Sequence, residues 1–266
     1  MGTTTDPAQL LDLAERSARQ AAAAIATAAT KTRVGVETKS TATDLVTATD
    51  RAVEALIVDI LLRERPDDGL IGEEGAERPG TTDVVWVIDP IDGTTNFAYG
   101  YPAYCTSVAA EVDGTSVVGC IIDAVRGEVF TATRGGGAFL DGLPIRIRPE
   151  GPPLAEALVG TGFGYASDRR AVQASVLSHV LPRVRDVRRG GSAALDLCWM
   201  AAGRLDATYE RGLEHWDHAA GALIATEAGA AVTTTGGGPL HRDATIVTAR
   251  PDLLEAFLAL LADAGA

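Results

Sequence analysis

Asp89 and Asp92 lie three residues apart in the run Trp86-Val-Ile-Asp-Pro-Ile-Asp-Gly-Thr-Thr-Asn-Phe97, on a Gly-Thr turn that follows an apolar stretch. Carboxylates so placed suit a hard divalent cation, which prefers carboxylate and carbonyl oxygens and, when small, takes only one or two carboxylates beside a substrate phosphate. The run Asp83 to Ile88 is apolar and β-branched with one aromatic, and reads as a buried strand that Pro90 ends. Gly93 lets the backbone come close to a ligand, and Thr94 to Phe97 opens a helix whose free N–H groups attract an anion. A helix-capping turn would explain a lone Asp-Gly-Thr string. It leaves the paired carboxylates and the apolar flanks without a reason.

Three further elements carry acids at turns. Leu70-Ile-Gly-Glu-Glu-Gly75 delivers Glu73 and Glu74 between two glycines, and adjacent carboxylates repel unless a cation lies between them. An exposed acidic loop is the other reading. Thr47 to Asp50 leads into the helical pattern Val53, Leu56, Ile57, Ile60, Leu61, and Asp217 in Glu214-His-Trp-Asp-His-Ala-Ala-Gly221 starts an Ala-rich helix that runs to about Glu227. Capping alone is an alternative role for both Asp50 and Asp217.

Together these elements resemble the inositol monophosphatase family of Mg²⁺-dependent, lithium-sensitive phosphatases over most of the chain. The family's signature Trp-x-Asp-Pro-x-Asp-Gly-Thr-x-Asn-Phe is similar to Trp86 to Phe97, with Ile88 preceding Asp89, and its Trp-Asp-x-Ala-Ala-Gly is similar to Trp216 to Gly221. The resemblance implies two or three Mg²⁺ ions held by Glu73, Asp89, Asp92 and Asp217 with the carbonyl of Ile91, and Glu74 as an accessory. It implies metal-assisted hydrolysis of a phosphate monoester, with Glu73 in the catalytic set and the Thr94 hydroxyl paired with Asp50 to orient the attacking water. The N–H groups of Gly93 and Thr94 would hold phosphate oxygens, with Asp92 and Asp217 also facing the substrate. Lys39 falls where the family carries a lysine near the metal loop; a surface cation is the other reading.

Substrate identity is a separate question, because relatives that cleave fructose 1,6-bisphosphate, phosphoadenosine phosphate or histidinol phosphate share the metal core. Arg189-Gly-Gly-Ser-Ala-Ala-Leu-Asp-Leu-Cys198 and Gly203-Arg-Leu-Asp-Ala-Thr-Tyr-Glu210 resemble the inositol-phosphatase branch, which implies that Ala193 and Glu210 contact the ring. A carboxylate at Glu210 accepts from two vicinal hydroxyls, and burying it without partners is costly; a Glu ending a strand is the plainer reading. Where some members present Ser near the ring, Thr161-Gly-Phe-Gly-Tyr165 has Tyr165. The expected reaction is myo-inositol 1-phosphate to inositol and phosphate. A protein that binds a macromolecular partner, with vestigial catalysis, is the reading from another class.

The chain of 266 residues has 23 Lys plus Arg against 36 Asp plus Glu, a net charge of −13. That opposes nucleic-acid or acidic-membrane binding over the whole surface. Arg183, Arg185, Arg188 and Arg189 form the one dense basic run, facing solvent, a subunit partner or an acidic ligand. Cys105, Cys120 and Cys198 are widely spaced in apolar surroundings and read as buried free thiols of a reducing compartment. No apolar run approaches the roughly twenty residues of a membrane helix, so a cytoplasmic location is expected; the resemblance implies a homodimer.

The elements that must position these residues read as α/β (α+β). A long helix covers Pro7 to Thr30 with the stripe Leu10, Leu13, Ala14, Ala21, Ile25. Strands follow at Tyr104 to Val112, Ser116 to Asp123 and Glu128 to Thr133, with a hairpin turn at Asp113-Gly114. A Pro-Gly break at Pro149 to Pro153 region residues 149–153 then precedes strands at Ala157 to Thr161, Ala230 to Thr234 and Thr245 to Ala249. We expect two halves, residues 1–148 carrying most metal ligands and residues 149–266 carrying Asp217 and the substrate contacts, with the site between them. The resemblance implies the layered α-β-α-β-α sugar-phosphatase fold.

Overall fold

Helix α1 (Pro7–Ala29) buries Leu10, Leu13, Ala14, Ala21 and Ile25 together with Ser17 and Ala18. The buried Ser17 hydroxyl donates to the Ala14 carbonyl at 2.8 Å, which removes the cost of an unpaired polar group. The computed structural model describes residues 6–29, 36–38 and 45–266, with backbone alone at 36–38 and 45–47. Lys39 lies outside the described residues.

Short strands β1 (Val36–Thr38) and β2 (Leu45–Thr47) pair antiparallel and lead into α2 (Ala48–Glu64). Then come β3 (Gly69–Gly72), β4 (Glu77–Arg78), β5 (Val84–Asp92), α3 (Thr94–Tyr99), β6 (Cys105–Val112), β7 (Thr115–Asp123), β8 (Val129–Thr133), β9 (Gly137–Leu140) and β10 (Leu143–Ile145). The strands form an eight-stranded sheet in the order β10-β9-β8-β7-β6-β5-β3-β4. Its pairings are antiparallel except β3 with β5. The β6–β7 turn uses Asp113 at φ 50° and Gly114 at φ 71°, the left-handed pair a tight hairpin needs.

The second sheet is built from β11 (Leu158–Thr161), α4 (Ser167–Val180), β12 (Asp186–Arg188), α5 (Ala193–Ala201), β13 (Ala207–Arg211), α6 (His215–Glu227), β14 (Ala231–Thr234), β15 (Thr245–Ala249) and α7 (Leu254–Ala264). Its five strands run β12-β11-β13-β15-β14. Among the described residues three large apolar cores stack the layers, beside a small cluster of Ala193, Leu213 and Ile246. Helices α1 and α2 close over Trp86, Ile88 and Val108; Val87, Ile121 and Phe130 meet Leu195, Cys198, Leu223 and Ile224 of α5 and α6; Val159, Tyr209 and Val247 meet Val176, Phe257 and Leu261 of α4 and α7. The order is α-β-α-β-α. Helix α6 packs on the first sheet although its chain neighbours belong to the second, and this carries Asp217 to the end of β5.

Two expectations are corrected. Pro90 does not end its strand: β5 continues to Asp92, with a register irregularity between Asp89 and Asp92. A bulge is where a residue without an N–H is tolerated, because no ladder bond is due there. Nor do the arginines of 183–189 form one patch. Arg183 donates to the His179 carbonyl at 2.8 Å, Arg185 pairs with Glu156 at 3.1 Å, Arg188 pairs with Asp186 at 2.6 Å, and Arg189 lines the cavity described below. Cys105, Cys120 and Cys198 are buried free thiols. Among the described residues no helix is long and apolar enough to cross a membrane.

Candidate active site

The end of β5, the β3–β4 turn and the starts of α3, α5 and α6 converge on one cavity of about 420 Å³, lined by Glu73, Asp89, Ile91, Asp92, Gly93, Thr94, Ala193, Glu210 and Asp217. Strand β5 is anchored at its outer end, where the buried Trp86 Nε1–H donates to Asp68 at 2.9 Å. Its inner end presents Asp89 and Asp92 on either side of the bulge.

Each carboxylate is held by a different element. Glu54 on α2 accepts the N–H groups of Glu74 at 2.8 Å and Ala76 at 2.9 Å, so the Glu73-Glu74 turn is fixed by a helix rather than left to solvent. One Asp92 oxygen accepts from Ser192 Oγ at 2.6 Å and from the Ala194 N–H at 2.7 Å, at the positive end of the α5 dipole. Asp217 sits in the first turn of α6 and accepts the Glu214 N–H at 2.8 Å, one half of a capping box with Glu214 as N-cap. Capping and facing the cavity are therefore combined in one side chain.

Asp89 is different. It is almost fully buried, and among the described residues no donor reaches its Oδ1. Burial first, then the charges of Glu73, Asp92 and Asp217, push its carboxyl well above the usual range. Asp217 is raised by burial and by Asp92 and Glu73; Asp92 is raised by burial against the opposing Ser192 and Ala194 bonds. Acids that face one another in a desolvated site call for a cation. Among the described residues no group of three or more His, Cys, Asp or Glu side chains is preassembled as a metal site. Asp92 and Asp217 each accept from protein donors, and Asp89 lies within hydrogen-bonding reach of Glu73. The donor set, hard oxygens with one orphaned at its centre, fits a hard divalent cation.

Beside the carboxylates, Thr94 Oγ1 donates to Asp50 Oδ1 at 2.9 Å and lies 3.0 Å from the Ile91 carbonyl. Asp50 is fully buried in the first turn of α2. Gly93, the N-cap of α3, has φ 97°, and a Cβ there would meet the Ala103 carbonyl at 2.9 Å, so the turn admits only glycine without strain. Asn96 donates to the carbonyls of Ala103 at 2.6 Å and Gly190 at 2.9 Å, tying the turn to the start of the α5 segment.

On the far wall, Glu210 at the end of β13 points in beside Gly162, whose missing side chain leaves room for it. Burial and the Asp92 charge push Glu210 up to about 7, against the lowering effect of Arg189. The Arg189 guanidinium stands 5.9 Å from the Phe163 ring. Tyr165 is exposed at the cavity rim.

Sequence reasoning missed Glu54, Ser192, Asn96 and Arg189 as parts of this site. Asn96 and Ser192 fell inside stretches that were singled out, yet neither carries a charge that would mark it. Glu54 gave no signal at all, since an acid in an amphipathic helix reads as surface.

The fold is a layered α/β arrangement whose cavity gathers the carboxylates of a metal-assisted hydrolase. The sequence pattern of the inositol monophosphatase family matches residues 6–265. The inositol-1-monophosphatase of Mycobacterium leprae is 47% identical over 96% of this chain and 94% of its own length. The solved structure of Mycobacterium tuberculosis SuhB is 42% identical, covers 98% of both chains and superposes with a TM-score of 0.83. A Vibrio cholerae protein named Nus factor SuhB is 39% identical over 94% of both. The chain belongs to the inositol monophosphatase family, and it is a phosphatase.

Proposed function

We propose that the chain hydrolyses myo-inositol 1-phosphate to inositol and phosphate with Mg²⁺, two or three ions, as cofactor and Li⁺ as an inhibitor. The observation that carries the metal reading is the buried Asp89 oxygen without a donor, surrounded by Glu73, Asp92 and Asp217. Those four carboxylates and the Ile91 carbonyl would hold the ions, with Glu74 as an accessory. Bound there, Mg²⁺ supplies charge neutralisation for the phosphoryl group and acidifies a water.

The protein's own groups do the rest. Asp50 accepts a hydrogen bond from the Thr94 hydroxyl, which leaves the Thr94 oxygen free to accept one from an attacking water; as that water loses a proton to Thr94, Thr94 would pass its own proton to Asp50. The Gly93 and Thr94 N–H groups hold phosphate oxygens, and the turn is already set by the Gly93 backbone before substrate arrives. Glu210 accepts ring hydroxyls and Ala193 lies against the ring; a pocket built around a buried acceptor rejects alcohols that lack the hydroxyls. We divide the work between residues 1–148 and 149–266, with Asp217 reaching across. The names of the mycobacterial relatives support the inositol ester. A cytoplasmic homodimer is the form we propose for the working enzyme.

The test is phosphate release from inositol 1-phosphate, histidinol phosphate, fructose 1,6-bisphosphate and phosphoadenosine phosphate in parallel, with Mg²⁺, with and without Li⁺. The expected result is highest kcat/KM for inositol 1-phosphate, suppressed by Li⁺. A preference for another ester would reject the substrate and leave the phosphatase standing. A second reading, in which the chain binds a macromolecular partner, is favoured by the relative named as a Nus factor. Normal Mg²⁺-dependent turnover would remove the version of it with vestigial catalysis.

A further inference from the structure

Asp217 differs from the other acids of the cavity in what holds it. The Glu73 turn is fixed by the buried Glu54, and Asp92 by Ser192 and the Ala194 N–H. Asp217 is held through Glu214. Its Oδ2 accepts the Glu214 N–H at 2.8 Å, and in the other half of the capping box the Glu214 carboxylate takes the Asp217 N–H. With Oδ2 so engaged, Oδ1 is the oxygen left for the cavity that Asp217 lines.

The Glu214 carboxylate is in turn held from a distant part of the chain. Arg242 Nε lies 2.8 Å from Glu214 Oε1, and both residues line the cavity. Arg242 belongs to the loop that joins β14 to β15. The Thr235 N–H donates to the Thr245 carbonyl at 3.0 Å and closes the neck of that loop. Among the described residues the N–H groups of Leu240, His241, Arg242 and Asp243 at its tip bond to no protein acceptor. Two side chains dock the tip instead: Leu240 packs on the cluster of Ala193, Leu213 and Ile246, and Arg242 pairs with Glu214. A guanidinium is planar and always charged, so it orients a carboxylate as well as neutralising it.

A chain of contacts thus runs from the loop tip to the cavity: Arg242, the Glu214 carboxylate, the first turn of α6, the Asp217 side chain. We infer that Arg242 is a positioning residue, which holds Glu214 at the N-cap of α6 and so aims Asp217 at the metal site before a cation arrives. Arg242 takes no part in bond cleavage. The inference rests on the phosphatase reading of the cavity and on Asp217 as a metal ligand there.

The experiment compares the wild type with Arg242→Gln, Arg242→Lys, Glu214→Gln and the double variant Arg242→Gln/Glu214→Gln, which removes one charge of each sign and leaves the net charge at the cavity unchanged. Two quantities are read: the Mg²⁺ concentration for half-maximal phosphate release from inositol 1-phosphate, and amide hydrogen exchange over residues 214–218 in the chelator-treated protein. In the double variant the Mg²⁺ requirement should rise about three-fold, the size of a partly exposed ion pair, with a smaller change in kcat at saturating Mg²⁺. Exchange over 214–218 should quicken by a similar factor in that variant and in both single Gln variants, with Arg242→Lys in between. The ratio of double variant to wild type should fall toward one in high salt, which screens the pair. An unchanged Mg²⁺ requirement in the double variant, a change confined to kcat, or exchange no faster than in the wild type would overturn the inference and spare the phosphatase reading. A wild type whose turnover does not depend on Mg²⁺ would overturn both.

Discussion

The acids around Asp89 and the acids around Arg250 are treated in opposite ways by the same fold. Arg250 is 3% exposed, pairs with Asp206 and with Asp252, the latter at 3.0 Å, and donates to the Pro152 carbonyl at 2.7 Å. Asp252 is lowered by its bond to Arg250. Asp89 and Asp217 are raised because burial removes water and their neighbouring charges are other acids, and Asp92 is raised by burial despite its bonds to Ser192 and Ala194 and the charge of Arg189. One cluster is electrostatically closed and staples residues 152, 206 and 252 together. The other is left open. A fold that gives a buried arginine two acids, and that leaves buried acids facing one another at one cavity, holds a charge imbalance there that suits a ligand.

Substitutions break this comparison from both sides. The largest effect is expected from Asp89→Asn, which should reduce Mg²⁺-dependent turnover about a thousand-fold or more, since metal charge stabilisation supplies several kcal/mol. The same change should raise the melting temperature of the chelator-treated protein by about 2 °C or more, because it removes a repelled charge. A variant that is inactive and less stable would contradict the open-cluster reading.

Arg250→Ala should do the reverse. Removing Arg250 takes away its bonds to Asp206, Asp252 and the Pro152 carbonyl but leaves two acids within reach of water, so the cost should be about 1–2 kcal/mol, with kcat/KM at the remote cavity changed less than about two-fold. The pH dependence follows from Asp252, whose bond to Arg250 holds its carboxyl below the ordinary aspartate value of 3.8. Its contribution is fully present above that unfolded value and is lost as pH falls through the folded one. The stability gap between wild type and Arg250→Ala, measured by denaturant melts, should therefore be constant at neutral pH and shrink below about pH 4. A gap that widened in acid would refute the assignment.

A smaller effect sharpens the account of the open cluster. Glu54→Gln weakens the hold on the Glu74 and Ala76 N–H groups, and so loosens the turn that carries Glu73. Outer partners of metal ligands are typically worth 10–100-fold in affinity. The Mg²⁺ concentration for half-maximal rate should rise about ten-fold with little change in kcat at saturation. An unchanged Mg²⁺ requirement would mean that the turn is ordered by something else.

The acidic half of the site was legible in the sequence because its residues announce themselves: two aspartates around a proline, two glutamates between glycines, an aspartate opening an alanine-rich helix. The strands around them followed from β-branched runs, and the buried stripe of α1 from its helical spacing. Pro90 misled because proline was taken as a strand end when the bulge accepts it. The supporting groups were hidden for another reason. Glu54 and Ser192 act from a helix and a helix cap far along the chain, through hydrogen bonds that only tertiary packing creates. The arginine run at 183–189 looked like one patch, but Arg183, Arg185 and Arg188 are each tied to a different partner and Arg189 lines the cavity.

The most direct measurement is phosphate release from inositol 1-phosphate as a function of Mg²⁺, with wild type and Asp92→Asn side by side and thermal melts recorded on the same samples. The account predicts saturable Mg²⁺ activation in the wild type, a melting temperature that rises with Mg²⁺, and neither response in Asp92→Asn despite an intact fold. Release that is independent of Mg²⁺, or an Asp92→Asn protein that responds like the wild type, would contradict it.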